Sequence, residues 1–176
     1  MIEWGSRMLV EMKTVVFYSL NDFEIGWACI EPTIQKVRGK DLTIKSQVYN
    51  LLTSGQQSLF MFWVLYGHSR KGIVQFYNEM NYLIKNGNIW SELEIGMRYF
   101  DDEDMLKVLK EMENMYHILQ RNQLESSGIE IIDLDSELQK AVDQLNQNFQ
   151  EVIHSSFEKI GKFIRKNQDE FVYLVN

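Results

Sequence analysis

Apolar positions along this chain return every three and four residues over most of its length, the spacing of one helical face rather than the alternation of a strand. The clearest stripe is Met105, Val108, Leu109, Met112, Met115, Tyr116 and Leu119. It predicts an amphipathic helix opened by Asp101-Asp102-Glu103-Asp104, where the helix dipole stabilises each acid by about 0.3 to 1 kcal/mol. Ile73, Phe76, Tyr77, Met80, Leu83 and Ile84 predict another, ending near Asn86-Gly87. Between them a helix starts near Asn88 and carries Trp90, Leu93, Ile95, Met97 and Phe100. Thr53 and Gln56 have capping-box spacing and precede the apolar run Leu59 to Tyr66, which predicts a buried helix. Ser136 and Gln139 repeat that form before Leu138, Val142, Leu145, Phe149, Val152, Ile160 and Ile164. A helix from Ser136 to Lys166 would run about 45 Å at 1.5 Å per residue, longer than a small bundle needs. It either breaks near Ser155-Ser156 or Gly161, or packs on a second chain.

The first forty residues carry weaker signals. Met8 to Leu20, with Val15, Val16, Phe17 and Tyr18, suits a helix or a strand, and a helix is the preferred reading. Asn21 or Asp22 caps a helix toward Val37, with Pro32 bending it or marking a fresh start, and a short helix spans about Ile44 to Leu52. Gly128 ends the helix that began at Met105, and Ile129 to Leu134 reads as loop for want of a partner strand. The fold class expected is all-α: a single-domain multi-helix bundle with a long C-terminal helix, residues 1–42 being of uncertain structure and 43–176 the helical core. Leu59, Phe62, Trp63, Phe76, Met80, Leu109, Met112 and Leu145 are its expected interior.

One proline and ten glycines in 176 residues are too few turn formers for an all-β sandwich. The single Cys29 excludes an internal disulfide and reads as a small buried apolar residue in a reducing, cytoplasmic setting. No apolar run approaches the roughly 20 residues of a membrane span, and Glu3, Arg7, Glu11 and Lys13 interrupt the N-terminus, so neither a membrane protein nor a signal peptide is expected. Charge changes the picture more. Residues 1–88 hold nine Lys or Arg against seven Asp or Glu, whereas residues 89–158 hold five against sixteen. An acidic face of this kind repels nucleic acid and favours basic partners.

Catalytic signals are sparse. His68, His117 and His154 lack a second ligand at helical spacing, and there is no phosphate loop or nucleophile elbow. Asp133-Leu134-Asp135 begins like a calcium loop, but Leu138 stands where Gly is needed and Gln144 where the bidentate Glu is needed. Helix capping explains these acids and Asp101 to Asp104 better than a metal does. No cofactor, metal or catalytic residue is assigned. Phe157 to Lys166 is basic and amphipathic, yet it continues the preceding stripe and reads as a docked terminal helix.

Tyr66 to Tyr116 resembles the bacterial DNA-mimic protein family, small acidic helical proteins whose domain is otherwise of unknown function. Gly72, Gln75 and Phe76 fit that family's Asn-Gly-Gly-Phe-x-Gln-Phe turn, with Ile73 replacing Phe and Arg70 and Lys71 standing where Asn and Gly belong. Leu93-Glu94-Ile95-Gly96 resembles a second element, and Phe163 to Asn167 with Phe171 resembles the terminal helix. The resemblance implies a dimeric all-α protein whose carboxylates imitate DNA phosphates. Helical neighbours three and four apart lie about 5 to 6 Å from one another, close to phosphate spacing. Asp101, Asp102, Asp104, Glu111, Asp133 and Asp135 are the expected partner-binding residues, with Lys107 offsetting part of the row. The function expected is a non-enzymatic acidic interaction module for a basic protein surface, such as that of a DNA-binding protein, with no direct nucleic-acid or membrane contact. The alternative is an immunity or inhibitor protein that caps a toxin or nuclease, and a hydrolytic enzyme ranks last.

Overall fold

A computed structural model describes residues 8–122 and 135–176, so Gly128, Ile129 to Leu134 and the candidate Asp133 lie outside the described residues. Eight α-helices and one two-stranded sheet make up the described chain, an all-α fold with a long C-terminal helix. No helix among these residues is long and apolar enough to cross a membrane. The chain divides into two compact units, Met1–Phe60 with Phe157–Asn176, and Met61–Ser156.

The first unit begins with strand β1 (Val10–Lys13), followed by α1 (Thr14–Ser19), α2 (Asp22–Val37) and α3 (Leu42–Tyr49). Residues 54–60 of α4 (Ser54–Ser69) and residues 157–166 of α8 (Ser136–Lys166) also belong to it, with a 3₁₀ turn at Gln168–Glu170 and strand β2 (Val172–Val175). The preferred helical reading of Met8 to Leu20 holds for its second half only. β1 pairs in parallel with β2, Val10 opposite Val172 and Lys13 opposite Val175, and the Thr14 hydroxyl donates to the Val175 carbonyl at 3.1 Å.

Local capping chemistry sets the helix starts of this unit. Asn21 and Glu24 form a reciprocal capping box at α2, each side chain accepting the other's backbone N–H at 2.9 Å. α2 then runs unbroken to Val37, with exposed Pro32 inside it. At α4 the expected box is present: Gln56 N–H donates to the Thr53 hydroxyl and Thr53 N–H to Gln56 Oε1, both at 3.1 Å. The same two side chains reach further, Thr53 donating to the Glu170 carbonyl at 2.7 Å and the buried Gln56 amide to the Met8 carbonyl at 2.6 Å. Phe17, Ile25, Cys29, Ile30, Leu59, Ile164 and Phe171 are fully buried here. Burial pushes the Cys29 thiol up to about 12, so it stays protonated and inert at neutral pH, as a small apolar residue should.

α8 is continuous across Ser155, Ser156 and Gly161. Both serine hydroxyls donate back to the Val152 carbonyl, at 2.9 and 3.3 Å. Gly161 marks a close crossing instead of a break: a Cβ there would lie 2.7 Å from Asp22 Cα. Arg165, one turn on, pairs with Asp22 and donates to the Leu20 carbonyl at 2.8 Å.

The second unit contains residues 61–69 of α4, α5 (Ile73–Asn86), α6 (Ile89–Tyr99), α7 (Glu103–Asn122) and residues 136–156 of α8. Phe62, Trp63, Phe76, Met80, Leu109, Met112 and Leu145 are buried as expected, together with Tyr77, Leu93, Met97, Met105, Val142 and Phe149. Full burial of side chains this size is worth about 1.5 to 3 kcal/mol each. Val142, Leu145, Phe149, Ile160 and Ile164 of the α8 stripe are thus covered within one chain, while Leu138 and Val152 are half-buried.

Gly72 opens α5 at φ +119°, a backbone conformation open to glycine. Having no side chain to cap the helix, it leaves that role to Asn146 of α8, whose Oδ1 accepts the N–H of buried Ile73 at 2.8 Å. Asn146→Ala is expected to lower stability by about 1 to 2 kcal/mol, because that N–H then has no acceptor. Chemical denaturation with an unchanged m-value checks it.

Candidate protein-interaction surface

The two units differ sharply in charge. Residues 61–156 hold sixteen Asp or Glu against eight Lys or Arg, a balance of −8, while the rest of the chain holds nine against ten. The expected partner-binding carboxylates fall on three places in the acidic unit. Asp101 is exposed in the turn after α6, at φ +54°, a left-handed conformation that Asp tolerates better than most residues. Asp104 and Glu111 are exposed on α7 seven residues apart, about 10 Å along the axis. Asp135 is exposed too, and its Oδ1 accepts the N–H groups of Glu137 and Leu138 at 3.0 and 2.8 Å. The second capping site therefore uses Asp135, with Ser136 already the first helical residue.

Asp102 corrects the expected set. It is fully buried at the start of α7, where its carbonyl accepts Leu106 N–H at 3.0 Å and its Oδ1 lies 3.4 Å from Met105 N. A buried capping carboxylate serves the helix, and no partner reaches it. Asp102→Ala is expected to cost about 1 kcal/mol and Asp102→Asn only a fraction of that, which thermal unfolding of the two variants would separate.

Neighbouring groups tune the exposed row. Lys107 lies 4.0 Å from Asp104, the offset anticipated from their spacing. Glu111 accepts a hydrogen bond from the Asn148 amide of α8 at 3.4 Å. On α8, Gln139 donates to Asp143 at 2.9 Å and Gln147 to Glu151 at 2.8 Å. These amides orient the carboxylates without neutralising them. Glu103, Glu111, Asp143 and Glu151 have no ion-pair partner among the described residues.

Two further features escaped the sequence reading. At the C-terminal end of α4, His68 Nδ1 meets Glu79 of α5, whose other oxygen accepts from the Gln75 amide. The hydrogen bond from His68, and secondarily that from Gln75, holds the Glu79 carboxyl below the ordinary glutamate range. A depressed folded-state pKa contributes stability that is present above the unfolded value and is lost as pH falls through the folded one. Carboxyl NMR titration is expected to show the Glu79 midpoint rising toward the ordinary value in both His68→Ala and Gln75→Ala, and further in the former.

The second is an open groove of about 640 Å³ between the α5–α6 turn, the start of α6 and the C-terminal half of α7. Trp90, Glu94, Glu113 and Tyr116 line it. Its aromatic wall is braced from behind, with Tyr116 edge-on to Tyr77 at 5.5 Å and Trp90 at 5.7 Å from Phe76. The buried Tyr77 hydroxyl donates to the Met112 carbonyl at 2.7 Å, and Tyr116 donates to Asn81 at 3.1 Å. Distant in sequence, these residues gave no local signal of a groove.

Among the described residues no group of three His, Cys, Asp or Glu side chains is placed to hold a metal ion. Set against known proteins, the chain matches no family model, no curated protein and no solved structure.

Proposed function

We propose that the protein is a non-enzymatic interaction module whose acidic unit, residues 61–156, binds a basic protein surface. The observation that carries this reading is the confinement of the chain's net negative charge to that unit, a balance of −8 against +1 elsewhere. Its exposed carboxylates, Asp101, Glu103, Asp104, Glu111, Asp135, Asp143 and Glu151, lie on more than one helix. The finer form is a DNA mimic, a homodimer that occupies the basic site of a nucleic-acid-binding protein. It draws support from the turn residues Gly72, Gln75 and Phe76 and from the exposed carboxylates of α7, Glu103, Asp104 and Glu111.

Capture of partners from a native lysate at about 50 and 300 mM salt tests the reading. Basic proteins retained at the lower salt and released at the higher one support it, since screening shortens the reach of surface charges to a few ångströms. Retention indifferent to salt transfers the protein to the inhibitor class, which apolar contact drives. Exposed Val15 (73%), Tyr18 (61%) and Tyr173 (62%) on the first unit are the surface favouring that second reading.

A further inference from the structure

We infer that the groove between α6 and α7 is a receptor for an arginine side chain. This rests on the reading of the acidic unit as a module for basic proteins and names the side chain it takes. Glu113 lines the groove half-buried and has no hydrogen-bond or ion-pair partner among the described residues. Glu94, the other carboxylate of the lining, is held 3.6 Å from Arg98, so Glu113 is the one left to receive a cation. Lys85 and His117 also line the groove, and neither is paired with Glu113.

The same lining contains the half-buried Trp90 ring, which presents the aromatic surface, backed by the buried ring of Tyr116 at 6.4 Å. A half-buried carboxylate next to aromatic surface suits a guanidinium in particular. Its planar fork can meet both carboxylate oxygens, its face stacks on aromatic rings, and it sheds water more readily than an ammonium. The Trp90 indole N–H is buried without an acceptor among the described residues, which makes its signal a reporter of changes in this wall.

The test titrates N-acetyl-arginine amide into the ¹⁵N-labelled full chain and follows the Trp90 indole signal, assigned by its loss in Trp90→Phe. A saturable shift is expected, in the millimolar range for a single side chain. N-acetyl-citrulline amide, the neutral isostere, should bind at least about threefold more weakly, and Glu113→Gln should weaken the arginine probe by about three- to fivefold. Glu158→Gln, exposed on the first unit, should leave it unchanged. Equal binding of the citrulline probe, no effect of Glu113→Gln, or the absence of a saturable shift overturns the inference. These outcomes are independent of lysate capture: the titration can fail while salt-sensitive capture persists, and succeed while it does not.

Discussion

Placing a single methyl group at Gly161 is expected to destabilise the protein, while the same change at Gly67 stabilises it. Both glycines lie inside helices, α8 and α4, where alanine is favoured by about 1 kcal/mol. At Gly67 a Cβ meets nothing within 4 Å, so Gly67→Ala should gain up to that amount. At Gly161 a Cβ lies 2.6 Å from Asp22 Cβ and 2.7 Å from its Cα. The carboxylate of Asp22 can turn away, but its Cα and the Cβ fixed to it lie at the first turn of a helix and cannot rotate aside, so α2 and α8 must separate. Overpacking of this kind costs about 1 to 3 kcal/mol, and separation also strains the Arg165–Asp22 pair and the bond to Leu20. Net of propensity, Gly161→Ala should lose about 1 to 2 kcal/mol. Denaturant midpoints of the two variants moving in opposite directions would bear this out; a stabilised Gly161→Ala would show that the crossing is looser than its geometry implies.

Gly161 also illustrates what the sequence could and could not disclose. A glycine in an otherwise periodic stripe is compatible with a break, a bend or a close approach, and only the position of Asp22, 139 residues earlier, decides between them. The helices themselves were legible because their signals are local: the stripes of α5, α7 and α8, and the boxes at Asn21 and Thr53, all lie within a few residues of the structure they create. The β1 strand was not. Four residues of VEMK have no decisive period, and what makes them a strand is pairing with Val172–Val175 at the far end of the chain. The cap on α5 is hidden for the same reason, since its acceptor belongs to Asn146, on another helix.

For the candidate surface the balance is different. Net charge by segment is additive, so the acidic half can be counted from the sequence, and the Lys107–Asp104 pair follows from helical spacing alone. Exposure is not additive. Asp101, Asp102 and Asp104 look alike as a run of acids, yet one sits in a left-handed turn, one is sealed under α7 and one faces solvent. A capping position draws its side chain back over the first helical turn, and whether that turn is covered depends on tertiary packing. The groove belongs to the same class, because its lining comes from three successive elements.

These distinctions determine how the acidic surface should be tested. Removing charge with Asp101→Asn, Glu103→Gln, Asp104→Asn and Glu111→Gln together, and leaving Asp102 in place, is expected to weaken binding to a salt-sensitive basic partner by about ten- to a hundredfold at low salt. Folding should change far less. The four side chains are exposed, exposed pairs contribute about 0 to 1 kcal/mol, and the Lys107–Asp104 pair that is disturbed spans 4.0 Å. Lost dipole interactions at Glu103 and Asp104 cost some tenths of a kcal/mol each, roughly offset by relieving repulsion in a unit carrying a balance of −8. Charge-steered association also predicts which rate moves: the on-rate should fall, and the difference between parent and variant should shrink as salt rises, because screening removes from the parent what substitution removes from the variant. Surface plasmon resonance against a captured basic partner at several salt concentrations reads both. A variant that binds as tightly as its parent across that series would place the contact elsewhere on the molecule, and a fall confined to the off-rate with no salt dependence would mean that shape, not charge, holds the partner.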